Sequence, residues 1–181
     1  MRNTWALYKK ELRSYFVSPL FYIVSAVFLS LCGLFFQSDL TYFVQFGFGM
    51  NILENFFQLL FVDMTRVLMI TVPLLTMRLF AEERKLGTIE LLYTYPLRDG
   101  EIYAAKFLAC ATVFLIMLGG TVLYPVYLHS IQPYAWEGVL AGYLGLVLLG
   151  FFFIASGLLI SSLTESQVVA GVCSIGLLLV F

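Results

Sequence analysis

The chain has 181 residues, 61% hydrophobic and 12% charged, with a formal net charge of −1. One soluble core of this size cannot hide so much apolar surface, which excludes a soluble globular domain. No basic patch suited to nucleic acid is present either.

Nine of the ten Lys and Arg residues fall in two places. Arg2, Lys9, Lys10 and Arg13 precede the first apolar run. Arg78, Arg84, Lys85, Arg98 and Lys106 lie in or beside one polar segment further on. Basic residues resist crossing a membrane, so the N-terminus and the region near 78–106 are expected on the cytoplasmic side.

Residues 1–17 read as an amphipathic helix lying in the membrane interface. Trp5, Tyr8, Leu12, Tyr15 and Phe16 share one face, and Arg2, Lys9 and Arg13 flank it. Ser18 and Pro19 suit the N-cap and first turn of a new helix, so the chain is expected to turn there. The first apolar run is too long for a cleavable signal peptide and reads as a retained anchor. Span one covers about residues 19–36. Residues 37–57, rich in Phe and Tyr, read as an outer loop with an interfacial helix.

Span two covers about residues 58–77 and runs inward. It carries Asp63 and Arg66 three residues apart in its outer part, as a mutually neutralising pair, and Pro73, which is expected to kink it. Residues 78–104 form the cytoplasmic segment. Span three covers about 105–123, with Asp99 able to cap it. Pro125 and Pro133 punctuate an outer loop that also holds His129. Span four covers about 139–161, where Gly138 with Gly142, and Ala141 with Gly145, give small-xxx-small spacing for close helix contact. A short inner turn follows. Residues 168–181 then begin a fifth span, too short at about 21 Å to cross a hydrocarbon core of about 30 Å. The fold expected is all-α: one transmembrane domain over 1–181, with an interfacial N-terminal helix and five transmembrane helices, the last truncated.

Within the cytoplasmic segment, Gly87 breaks the charged run Glu82, Glu83, Arg84, Lys85. Thr88 can cap a short helix over 88–95 that Pro96 ends. Ile89, Leu92 and Tyr93 share one of its faces, and Leu91 and Tyr95 another. Apolar groups on two sides fit either an interfacial anchor or a helix that also docks a soluble partner. Cys32, Cys110 and Cys173 show no pairing or metal spacing, and His129 has no ligand cluster beside it. No P-loop and no catalytic constellation occurs, so no enzyme activity and no bound cofactor are expected.

The run Phe80-Ala-Glu-Glu-Arg-Lys-Leu-Gly-Thr-Ile-Glu-Leu-Leu-Tyr-Thr-Tyr-Pro-Leu-Arg-Asp-Gly-Glu-Ile-Tyr-Ala-Ala-Lys106 resembles the signature of type-2 ATP-binding-cassette (ABC) permeases. Together with Tyr8-Lys-Lys-Glu-Leu-Arg-Ser-Tyr-Phe-Val-Ser-Pro-Leu20, it is most similar to the gliding-motility-associated subgroup. The resemblance implies a six-span permease subunit with an elbow helix, in a bacterial inner membrane with its N-terminus in the cytoplasm, so that a chain stopping within span five would be a fragment. It implies export of an unidentified substrate, powered by ATP and Mg on a separate ABC ATP-binding subunit. A second permease chain, identical or not, would complete the pathway. The coupling residues it implies are Glu82, Glu83, Arg84, Gly87, Thr88, Ile89, Glu90, Leu91, Leu92 and Tyr93. An ion- or proton-coupled secondary transporter or channel, using Asp63 and Arg66, is the alternative, because intramembrane charges mark functional sites. A membrane scaffold or membrane enzyme is a third reading, against whose enzyme form the missing catalytic constellation argues.

Overall fold

In the computed structural model the described residues are 2–46, 52–81, 84, 87, 99–131 and 133–180. They form an all-α membrane protein. Its helices are α1 (Arg2–Val17), α2 (Pro19–Phe46), α3 (Ile52–Thr76), α4 (Asp99–Gly120), α5 (Leu123–Ile131), α6 (Trp136–Leu163) and α7 (Gln167–Val180).

The turn at Ser18–Pro19 follows from local chemistry. Pro19 has no N–H to continue α1, and the Ser18 hydroxyl accepts the Leu20 amide at 3.3 Å as an N-cap. α1 then packs most extensively on α4, well away in sequence. Tyr8 Oη and Thr112 Oγ1 are 3.0 Å apart, while Tyr15 sits beside Cys110. Tyr8 and Tyr15 are about 10 Å apart along α1, yet reach positions about 3 Å apart along α4. α1 therefore crosses α4 rather than running along it.

Four apolar stretches are long enough to cross a membrane: Pro19–Gln45, Phe56–Thr76, Gly100–Ile131 and Trp136–Leu163. The 14-residue α7 is shorter and apolar. α3 lies at the centre, packed against α2, α4, α6 and α7. Its buried residues Leu60, Met64, Val67, Leu68, Val72 and Leu75 recur at helical spacing. α2 contributes a stripe to this core through Phe21, Val24, Phe28 and Cys32, flanked by the partly buried Leu29, Phe35 and Phe36.

Several expected boundaries are corrected. The first span does not stop at residue 36. Gln37 and Ser38 interrupt the hydrophobicity but not the helix, and Leu40 and Phe43 still pack on the core. Residues 37–46 are therefore helical, not loop, and 47–51 lie outside the described residues. The helix of span three starts already at Asp99. After a break at Thr121 and Val122 the chain resumes as α5, so Pro125 and His129 are helical rather than in a loop. Pro125 is third in α5, where its missing N–H removes no intrahelical bond. The Thr121 break is held by Tyr143, whose hydroxyl donates to the Thr121 carbonyl at 2.9 Å. Tyr124 in turn donates to the Leu29 carbonyl of α2 at 3.0 Å.

The glycine spacing on α6 also differs from expectation. Gly138, Ala141 and Gly145 are exposed. The close approaches are at Gly142, Gly150 and Gly157, where an added Cβ would lie 2.1 Å from Phe61, 2.2 Å from Phe114 and 2.2 Å from Thr76. Small residues thus admit large side chains of α3 and α4 into α6 at about two-turn intervals.

Candidate functional site

Directly after α3, residues 77–81 leave the bundle toward the charged segment. Three other helices and one interhelical turn hold this stretch. From α6, Ser161 is fully buried. Its hydroxyl accepts the amides of Phe80 at 3.2 Å and Ala81 at 3.3 Å, and donates to the Met77 carbonyl at 3.2 Å. One side chain thereby satisfies three backbone groups that the end of α3 would otherwise leave buried and unpaired.

From α4, Lys106 is 1% exposed. Its Nζ donates to the Leu79 carbonyl at 2.7 Å and to Glu11 Oε1 of α1 at 3.3 Å. It also lies 5.0 Å from the Phe80 ring centroid. A buried ammonium is tolerated only with such partners, since an unpaired one carries a large desolvation cost. From α1, Tyr15 donates to the Leu75 carbonyl at 3.0 Å. Burial pushes its phenol well above the ordinary range, so it stays a neutral donor. At the α1–α2 turn, Ser18 Oγ accepts Arg78 Nη1 at 2.8 Å.

The stretch then continues through Arg84, which is exposed and donates its amide to the Phe80 carbonyl at 3.0 Å. Gly87 has φ +67°, a left-handed conformation that suits glycine. The Gly87 amide bonds the Arg84 carbonyl at 3.1 Å, closing a turn. Of the expected coupling residues, Arg84 and Gly87 are therefore placed at this exit. Glu82, Glu83, Thr88, Ile89, Glu90, Leu91, Leu92 and Tyr93 lie outside the described residues.

Asp63 and Arg66 form the expected ion pair on α3. One feature adds to the sequence reading. A third charge joins the pair from another helix. Asp39 of α2 is buried, interacts electrostatically with Asp63 and Arg66, and has Oδ2 without a hydrogen-bond partner.

Glu11, Lys106, Ser161 and Asp39 are the residues that sequence reasoning missed. Lys106 was read as one more cytoplasmic cation. Its signal was available: it shares a helical face with Ile102, Ala109, Cys110 and Val113, all buried. Glu11 likewise falls on the face of Leu7, Tyr8 and Tyr15. An ionisable group on an apolar stripe points to a partner in another helix.

Among the described residues no group of His, Cys, Asp and Glu could hold a metal ion. Residues 5–181 match the model of the family described as ABC-2 family transporter protein. No curated protein and no solved structure matches the chain.

Proposed function

The chain belongs to the ABC-2 transporter family as a permease component of an ABC transporter, and from that premise we propose an export cycle coupled through residues 78–98. The family associates with an ABC ATP-binding subunit. In this reading ATP and Mg bind on that separate subunit, and this chain binds no cofactor. Its coupling surface comprises Glu82, Glu83, Arg84, Gly87, Thr88, Ile89, Glu90, Leu91, Leu92 and Tyr93. The subgroup we infer, from the two motifs 8–20 and 80–106, is the gliding-motility-associated one.

The observation that carries the reading is the grip on residues 77–81. A force applied to the docked segment reaches α6 through Ser161, α4 and α1 through Lys106 and Glu11, and the α1–α2 turn through Arg78 and Ser18. A segment that served only as an anchor would not require the buried Ser161 and Lys106 contacts as well as the Arg78–Ser18 bond. ATP binding closes the soluble subunits, and the elbow with α2, α3 and α7 shifts against a second permease chain, identical or not. The setting is a bacterial plasma membrane with the N-terminus in the cytoplasm, and the fold is one transmembrane domain.

The test is affinity purification of the full-length protein with mass spectrometry. An ABC ATP-binding subunit and a permease partner recovered together support the reading. Their absence from an intact, folded preparation contradicts it. A second reading, ion- or proton-coupled transport, gains from Asp39 joining Asp63 and Arg66 within the span. Flux driven by an ion gradient without ATP would favour it.

A further inference from the structure

Between α3 and α6 runs a groove of about 410 Å³, within the size range of small-molecule sites. Phe61, Val62, Met69, Leu146 and Leu149 make its walls apolar. One ionisable group lines it, Arg66, whose side chain is 68% exposed. An ionisable side chain within an apolar span is costly, and such residues sit at functional positions. Asp63 does not line the groove. It is buried beneath and fixes Arg66 by one nitrogen, leaving the other edge of the fork outward.

The glycines of the groove separate packing from function. Gly142 is required by packing, because a Cβ there would strike Phe61. At Gly145 an added Cβ meets nothing within 4 Å. Gly145 therefore leaves room along the groove that a larger side chain would take up.

We infer that this groove binds an amphiphilic carboxylic acid, with its alkyl chain along the apolar walls and its carboxylate on Arg66. The inference rests on the permease reading and names the substrate class for it. One free guanidinium edge matches one carboxylate. A phosphate dianion would bring two negative charges beside Asp63 where a carboxylate brings one.

The experiment uses the full-length protein with its ATP-binding subunit in proteoliposomes. The probes are a diazirine-bearing long-chain fatty acid and the corresponding alcohol. The acid is expected to label α3 and α6 and the alcohol is not. Arg66→Gln should reduce labelling about tenfold, the effect of losing one charge-assisted hydrogen bond, and Arg66→Lys should restore part of it. Gly145→Leu, which fills open space without touching the bundle, should also abolish labelling. Equal labelling by acid and alcohol, or labelling unchanged by both Arg66→Gln and Gly145→Leu, overturns the inference. Cross-linking of two copies through Gly145→Cys without acid labelling assigns the groove to a second chain and also overturns it. A complex that keeps its ATP-binding subunit but shows no Arg66-dependent labelling refutes the groove alone.

Discussion

Lys106 and Glu11 join two helices that are 95 residues apart in sequence, and neither can lose its partner cheaply. Lys106→Met leaves Glu11 buried with only the more distant Lys10 at 3.8 Å. The expected cost is about 3–5 kcal/mol, as for breaking a buried ion pair. Replacing both, Lys106→Met with Glu11→Met, should recover most of that loss, because the desolvation penalty disappears with the charges. Thermal unfolding of the purified single and double variants measures this, and additive losses would contradict it. Ser161→Ala removes the acceptor of two buried amides and should cost about 1–3 kcal/mol. Hydrogen exchange at Phe80 and Ala81 should accelerate while exchange in the middle of α3 stays unchanged. At this scale charge position alone did not reveal that Lys106 is buried; its helical face, shared with Ile102, Ala109 and Val113, does.

The helices themselves were legible because the apolar runs and basic asymmetry act over twenty residues at a time. The elbow break was legible too, since Ser18-Pro19 is a local signal with a local cause. Helix ends were less so. A hydropathy minimum at Gln37–Asp39 looks like an exit from the membrane, yet nothing there breaks a helix, and Thr41 even bonds back to the Gln37 carbonyl at 2.8 Å. The contact glycines were also not separable by spacing alone. What distinguishes them is the opposing side chain, which a single sequence does not reveal. Gly157→Ala places a methyl 2.2 Å from Thr76 Oγ1 and should destabilise the α3–α6 contact by about 1–3 kcal/mol. Gly145→Ala enters open space and should be neutral or stabilising by up to about 1 kcal/mol. Parallel melting curves of the two variants check the contrast, and equal destabilisation would mean that α3 and α6 are not this close.

Across the whole molecule the bundle converges on one short stretch, residues 77–81, from which the charged segment emerges. The family and the all-α membrane class were legible from motif and composition. The anchoring of that segment was not, because it depends on four side chains brought together from distant parts of the chain. On the proposed coupling, a soluble subunit would act on the membrane helices by moving the contact surface, and the stretch behind it would carry α4 and α6 along. Leu92→Asp tests this most directly. It puts a carboxylate on the proposed docking face while leaving the apolar spans and basic asymmetry that direct insertion unchanged. The measurement is co-purification of the ATP-binding subunit with the full-length variant, read together with substrate-stimulated ATP turnover and protease mapping of topology. The account predicts normal insertion with loss of the ATP-binding subunit and of transport. Wild-type binding and transport in Leu92→Asp would contradict it, leaving residues 88–95 as an interfacial anchor.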